Sequence, residues 1–271
     1  CVLQAESEVA SVNMLYGAGG AGGRVMTSSS SPGYSLMQEG VSYIACAEIP
    51  SVFVNVQRGG PGLGTIQPSQ GDYFQAVKGG GHGDYRLIVL APNSVQEMVD
   101  HTVLAFDLAD KWRNPVLILT DGAIGQMMEK IELPEPYPFR SAEDMRDEKP
   151  WATNGRKGGV KKNLLTSLNI KSDEMERKNI ELQAKYAKIT DEEVRYESYH
   201  LDDAEIIVSA YGLSSRICKK VVDLGREKGL KIGLLRPITL WPFPSKKIDE
   251  LAAKPEVKMF MTIEMSVGQM V

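Results

Sequence analysis

The sequence predicts an α/β protein: a mostly parallel sheet with helices on both faces, followed by a second, smaller α/β domain. Three observations predict it. Short apolar runs, FVNV at 53–56, LIVL at 87–90 and VLIL at 116–119, read as strands buried on both faces and alternate with helical patterns. The first run opens directly into a glycine-rich stretch, where α/β folds place their working loops. A new strand–helix series begins at Ala204 (AEIIVSA) after a long polar interval. The expected division is residues 1–133 for the first domain, 134–200 for a charged linker with a helix, and 201–271 for the second, incomplete domain.

Composition narrows the function classes. With 42% hydrophobic and 24% charged residues over 271 positions, the chain is ordinary globular material. A net charge of -4 argues against a nucleic-acid surface, which needs a basic patch. No apolar run reaches bilayer-spanning length and no signal peptide is visible, so a cytoplasmic location is expected. Cys1, Cys46 and Cys218 lie far apart, with no CxxC and no Cys/His cluster. That fits a reducing compartment and argues that this chain ligates no zinc or iron–sulfur cluster. The sequence opens on Cys1 and closes on GQMV without a closing element, so a chain cut at both ends is expected.

In order along the chain, a helix is expected from about Glu8 to Tyr16, with Val9, Val12 and Tyr16 on one face. Gly17 to Gly23 stops it, and Arg24 to Thr27 reads as a short strand. GAGGAG at 17–22 formally matches GxGxxG, but the dinucleotide reading needs a strand before it and a helix opening on it. The order here is reversed, so a helix stop with close packing is the better account. Thr27 to Gly33 reads as a loop of hydroxyls and glycine. Ser35 can cap a helix to about Ala47, with Leu36, Val41, Ile44 and Ala45 on its buried side. The serines can serve as caps or face a polar ligand.

The central run, Val52 to Asp84, starts as a strand and then carries Arg58, SQGD and GGGHGD. It is expected to form the wall of an active site. Strand Leu87–Leu90 follows, then a helix over Ser94–Lys111 with Ser94 as cap and Glu97 completing a capping box. Strand Val116–Leu119 ends in TDG. Glu132–Pro150 is a proline-rich crossing segment. Lys161–Tyr186 is a charged, solvated helix in which Met175, Asn179, Leu182 and Tyr186 lie along something larger. Strand Ala204–Ala210, helix Ser214–Lys228 with Gly229 at its C-cap, strand Lys231–Leu235, helix Ser245–Ala253 and strand Lys258–Ile263 make the second unit. LRPITLWPFP at 235–244 is a rigid loop between strand and helix.

There is no GxSxG, HExxH or P-loop. His82, His101 and His200 are scattered. His101 falls inside a helix and reads as structural, while His82 in GGGHGD is a candidate acid or base. Arg58 follows a strand and precedes GGPG, where a guanidinium suits a planar carboxylate held bidentately. The competing account is an ion pair with Asp72 or Asp84. Glu8 lies in the first turn of its helix, where dipole stabilisation alone would explain a carboxylate. The residues by themselves describe a glycine-lined site for a small anion and name no reaction.

Longer strings add a resemblance. QAESEVASVNMLYGA, RVMTSSSSPGYSLMQEGVSY, VNVQRGGPGLGTIQPSQGDYFQAVKGGGHGDYRLIVLAPNSVQE and LRPITLWPFP together resemble the alpha subunit of the 2-oxoacid:ferredoxin oxidoreductases. The similarity is greatest to the branched-chain type acting on 3-methyl-2-oxobutanoate (2-oxoisovalerate). The resemblance implies a thiamine pyrimidine-binding-type first domain and a transketolase C-terminal-like second one. It implies thiamine diphosphate shared with a beta subunit, CoA as acyl acceptor and ferredoxin as electron acceptor. Magnesium and iron–sulfur clusters would reside on partner chains, with gamma and ferredoxin-like delta subunits completing the complex.

The resemblance also assigns residues. Glu8, in AESEVA, matches the glutamate that contacts the aminopyrimidine ring. A carboxyl hydrogen-bonded to the ring nitrogen favours the imino tautomer, whose exocyclic nitrogen can remove the thiazolium C2 proton. Arg58 matches the arginine facing the substrate carboxylate. Thr27 to Ser30, Gly59, Gly60 and Ser69 to Asp72 would line the same pocket, with Thr27, Ser28 and Ser29 on its cofactor side and Gly59, Gly60, Ser69 and Asp72 on its substrate side. Two features depart from the family pattern: its earlier strand with a YPITPS-like loop is missing, and the second domain breaks off at EMSVGQMV. The chain alone is expected to be silent. The rivals are the 2-oxoglutarate type, which a second cation beside Arg58 would favour, and a non-catalytic assembly subunit, which a Glu8 turned from any pocket would favour. A nucleotide-binding protein would need a helix opening on GAGGAG.

Overall fold

The described residues, 2–136, 141–153, 155 and 162–270 of a computed structural model, fold around two sheets. In chain order the elements are α1 (Glu8–Gly20), β1 (Met26–Ser30), α2 (Ser31–Leu36), α3 (Gln38–Cys46), β2 (Ser51–Gln57), α4 (Tyr73–Lys78), β3 (Ile88–Leu90), α5 (Val95–Trp112), β4 (Pro115–Asp121), α6 (Ala142–Glu148), α7 (Ser172–Glu192), β5 (Tyr196–Tyr199), β6 (Ile206–Ser209), α8 (Gly212–Glu227), β7 (Ile232–Pro237), β8 (Thr239–Trp241), α9 (Ser245–Ala252) and β9 (Met259–Thr262).

The first sheet has the order β1-β2-β4-β3-β8, and its first four strands are parallel. β4 and nearly all of β2 are buried, in keeping with their mainly apolar runs. Successive residues feed opposite faces. Phe53, Leu117 and Leu119 join a core with α1 to α4, while Val52, Val54, Val116 and Ile118 join one with α5 and α7. The mostly parallel, two-sided sheet is therefore observed. The second sheet has the order β5-β7-β6-β9, with β5 antiparallel to β7 and the remaining pairs parallel.

Several boundaries differ from expectation, each for a packing reason. The first helix does not stop at Gly17 but runs to Gly20, because Gly19 lets it press against Ile49: a Cβ there would lie 2.7 Å from Ile49 Cγ2. The turn comes at Gly22, with φ +95°. Residues 27–30 are an edge strand rather than a loop, in register with Phe53–Val56. Ser35 is no cap. It sits inside α2 and donates to the Ser31 carbonyl at 3.0 Å, and the single expected helix breaks into two at Met37. Val41, Ile44 and Ala45 are buried as expected, but Leu36 is exposed.

Ser94 caps α5 by accepting from Glu97 N at 3.2 Å, yet Glu97 does not close the box. Its carboxylate accepts from Asn93 N at 2.9 Å and pairs with the buried Arg236 guanidinium. The charged helix begins at Ser172 and buries Leu182, Tyr186 and Ile189 against the sheet. Cys1, residues 137–140 of the crossing segment and Lys161 at the start of the charged stretch lie outside the described residues.

LRPITLWPFP is more than a loop. Its middle is β8, which adds antiparallel to β3, with Ala91 N donating to the Ile238 carbonyl at 2.8 Å. Proline lacks a donor, so Pro237 and Pro242 flank the short edge strand rather than sit within it. The second unit is thus stitched into the first sheet.

Candidate active site

β1 and β2 run side by side and end together, Ser30 opposite Val56, so the residues after each strand emerge at one sheet edge. That is where a parallel sheet presents its loops. One hollow lies along β1 and α1, and another opens at that edge.

The first, of about 560 Å3, lies beside β1 and α1 and is lined by Glu8, Ser11, Arg24, Thr27, Ser28 and Phe106 among others. Ser7 caps α1 by accepting from Ala10 N at 3.2 Å, which places Glu8 in the first turn. Ser29 Oγ donates to Glu8 Oε1 at 3.1 Å. Gly33 packs against this pair so closely that a Cβ would overlap both the Ser29 hydroxyl and the Glu8 carboxylate. Ser11 and Thr27 share a 2.7 Å hydroxyl hydrogen bond that ties helix to strand. Glu8 is therefore oriented by side chains, not merely by a helix dipole.

The second hollow, of about 470 Å3, collects Arg58, Gly59, Gly60, Ser69 and Asp72. Arg58 N donates to Ser31 Oγ at 3.0 Å and its Nη2 to the Leu63 carbonyl at 3.1 Å. Its Nε is buried without a partner, and no carboxylate among the described residues pairs with it. Asp72 instead accepts from Asn55 Nδ2 at 2.9 Å. The ion-pair account of Arg58 is thus not what the described residues show; a buried guanidinium N–H left unpaired at a cavity is an anion donor in waiting. The turn after Arg58 closes on itself, with Gly59 N on the Gln67 carbonyl at 2.9 Å and Thr65 N on the Gly59 carbonyl at 2.8 Å. Gly64, at φ +61°, is needed there because a Cβ would collide with the Gly59 carbonyl.

One wall was missed from sequence. Ser266, Val267 and Gln269, from the segment after β9, line the same cavity. Gln70 holds this segment: its buried amide donates to the Tyr211 carbonyl at 2.9 Å and accepts from Met265 N and Ser214 Oγ, both at 2.8 Å. Glu264 folds the segment by accepting from Ser266 Oγ at 2.7 Å and Gln269 N at 2.9 Å. The only local signal was Gly268 in EMSVGQM, which has φ +75°.

The expected site residues thus form two groups, Glu8, Thr27, Ser28 and Ser29 in one and Arg58, Gly59, Gly60, Ser69 and Asp72 in the other. They are joined through the three consecutive residues Ser29 to Ser31. His82 belongs to neither. It lines a separate hollow with Tyr43, Cys46 and Met175, so the GGGHGD end of the central run is not part of the Arg58 wall. His101 is buried in α5, where burial pushes its imidazole pKa down. GAGGAG ends a helix rather than opening one. Among the described residues there is no cluster of three or more His, Cys, Asp or Glu side chains that could hold a metal ion, and no helix long and apolar enough to cross a membrane.

Two family models match the chain. A family model described as "Pyruvate flavodoxin/ferredoxin oxidoreductase, thiamine diP-bdg" matches residues 1–199, and one described as "Pyruvate:ferredoxin oxidoreductase core domain II" matches 204–271. The ketoisovalerate oxidoreductase subunits VorB of Methanothermobacter marburgensis and Methanothermobacter thermautotrophicus are each 56% identical over 99% of this chain and 74% of their own length. The 2-oxoglutarate synthase subunit KorA of Methanocaldococcus jannaschii is 38% identical over 98% of this chain and 76% of its own. A solved 2-oxoglutarate:ferredoxin oxidoreductase from Magnetococcus marinus, with 2-oxoglutarate, coenzyme A and succinyl-CoA bound, superposes with a TM-score of 0.79 at 26% identity. That match covers 97% of this chain, which spans 50% of the solved chain.

Proposed function

The chain belongs to the pyruvate flavodoxin/ferredoxin oxidoreductase family, and from that premise we propose that it is the alpha subunit of a complex that oxidatively decarboxylates 2-oxoisovalerate to an acyl-CoA and CO2, passing the electrons to ferredoxin. The observation that carries this reading is Arg58: a guanidinium without a carboxylate partner among the described residues, its buried Nε unpaired, at a cavity whose described lining holds no second cation. A monocarboxylic 2-oxo acid satisfies that arrangement. A second carboxylate, as in 2-oxoglutarate, would have no partner and would face Asp72. The greater identity to the ketoisovalerate subunits supports the same choice.

The residues of the first hollow fit thiamine diphosphate. The Glu8 carboxyl is fixed by Ser29 and by the absence of a side chain at Gly33, and it opens on a hollow large enough for an aromatic ring. When bound, thiamine diphosphate supplies the carbon chemistry that releases CO2 from a 2-oxo acid. Glu8 would hold a proton at the pyrimidine ring nitrogen, with Thr27, Ser28 and Ser29 around it. Arg58 would bind and orient the substrate carboxylate, with Gly59, Gly60, Ser69 and Asp72 beside it. We assign the diphosphate, magnesium and iron–sulfur sites to beta, gamma and ferredoxin-like delta partners. CoA enters as a substrate, and the location is cytoplasmic, where thiols such as Cys46 and Cys218 stay free. The first domain of this reading is residues 1–133, followed by a linker over 134–200 and the second domain from 201. A Glu8 facing a hollow weighs against the assembly-subunit rival.

The test is an assay of the full-length chain co-expressed with its partner subunits, with thiamine diphosphate, CoA and a viologen dye. 2-Oxoisovalerate, 2-oxoglutarate and pyruvate are offered in turn. Dye reduction fastest with 2-oxoisovalerate is expected. A preference for another acid moves the substrate within the family, and no reduction with any acid by an intact complex overturns the reading.

A further inference from the structure

We propose that Leu63 and Val267 together select the side chain of the 2-oxo acid, so that substrate choice is shared between the turn after Arg58 and the segment after β9. This rests on the reading that Arg58 binds the acid's carboxylate.

Both side chains line the Arg58 cavity, and both are almost bare, at 81% and 104% exposure. Apolar atoms without packing partners, held at the mouth of an anion site, gain by being covered when a ligand enters. Both sit on hydrogen-bonded backbone. The Leu63 carbonyl accepts from Arg58 Nη2 at 3.1 Å, so the leucine is tethered to the group that fixes the carboxylate. Val267 sits in the loop closed by Glu264, whose anchor, Met265, is locked to Gln70 in both directions: Gln70 N donates to the Met265 carbonyl at 2.8 Å and Gln70 Oε1 accepts from Met265 N at 2.8 Å. An acid held at Arg58 therefore presents its side chain to two hydrocarbon groups carried on hydrogen-bonded backbone. A branched chain covers them. A carboxylated chain would lose hydration against them, with Asp72 adding repulsion.

The experiment measures kcat/KM for 2-oxoisovalerate, 2-oxoglutarate and pyruvate in the assembled complex carrying Val267→Arg, Val267→Ala, Leu63→Ala or Arg58→Gln. Val267→Ala and Leu63→Ala should each cut the preference for 2-oxoisovalerate over pyruvate by roughly 10-fold, mainly through KM, the discrimination expected of one or two methyl contacts. Val267→Arg should move the ratio of 2-oxoglutarate to 2-oxoisovalerate upward by about 10-fold or more. Val267 is fully exposed among the described residues, so its replacement leaves their packing alone, and Leu63→Ala reports independently. Ratios that stay within about twofold of wild type in all three variants overturn the proposal. Arg58→Gln separates the two levels: it should weaken every acid alike. If it does so while the other variants leave the ratios unchanged, only the side-chain clamp fails; if Arg58→Gln changes nothing, the carboxylate reading itself fails.

Discussion

Glu8 and Arg58 carry the two charges that the proposed chemistry uses, and each depends on a neighbour far away in sequence. Glu8 is held by Ser29, across the gap between α1 and β1. Glu8→Gln keeps the side-chain oxygen that Ser29 donates to but removes the group that can hold a proton. Turnover in the reconstituted complex should fall by about 10²- to 10⁴-fold, the usual contribution of a positioned acid–base group. Assembly and thermal stability should stay as they are, and near-normal turnover would remove Glu8 from the mechanism. Both charges could be picked out from the sequence because they sit in long distinctive strings. Their partners could not, since nothing local links Glu8 to Ser29 or to the bare Cα of Gly33. His82 shows the converse: a glycine-rich neighbourhood drew attention to it, and the chain path carries it to another hollow.

The turn from Gly59 to Gln67 is the element that makes Arg58 available. It is exposed, so it contributes little to the core, yet it fixes the carbonyl that accepts from Arg58. Gly64→Ala places a Cβ against the Gly59 carbonyl at φ +61°, costing about 1 to 2 kcal/mol for the conformation alone. The turn should open, raising KM for 2-oxo acids several-fold while the melting temperature shifts by only a few degrees. An unchanged KM would show that the turn does not position Arg58. Elements with a strong period were readable: the buried strands, α5, α8 and α9 all lie within a few residues of their expected places. The errors came where packing overrides propensity. Glycine should end α1, but close approach to Ile49 keeps it going. α4 and β5 are too short to show a period at all.

The two sheets behave as one molecule because β8 and Arg236 cross between them. Arg236 is fully buried, pairs with Glu97 of α5 and donates to the Ala91 carbonyl at 3.2 Å. Burial pushes the Glu97 carboxyl pKa up, but the Arg236 guanidinium and the Asn93 N–H outweigh it and hold the carboxyl below its ordinary range. A pKa lowered by folding means stability that is present above the ordinary carboxylate range and is lost as pH falls through the lowered value. Glu97→Gln should therefore cost about 1.5 to 3 kcal/mol near neutral pH, since it leaves the buried Arg236 with Glu197 as its remaining carboxylate partner at 3.3 Å, and the gap to wild type should narrow in acid. Urea unfolding across a pH series measures this; a gap constant with pH would deny the carboxylate its role. Neighbouring residues encode the order of the strongly periodic strands and helices and most of the sides they bury, because a period of two or of 3.6 is written locally. Tertiary structure alone decided that a proline-rich loop becomes a sheet edge and that the segment after β9 walls the Arg58 cavity. It also decided that the expected site residues divide between two hollows. Those outcomes depend on which surfaces meet once each face is buried, and no local pattern encodes a meeting between residues nearly two hundred positions apart, such as Ser69 and Met265.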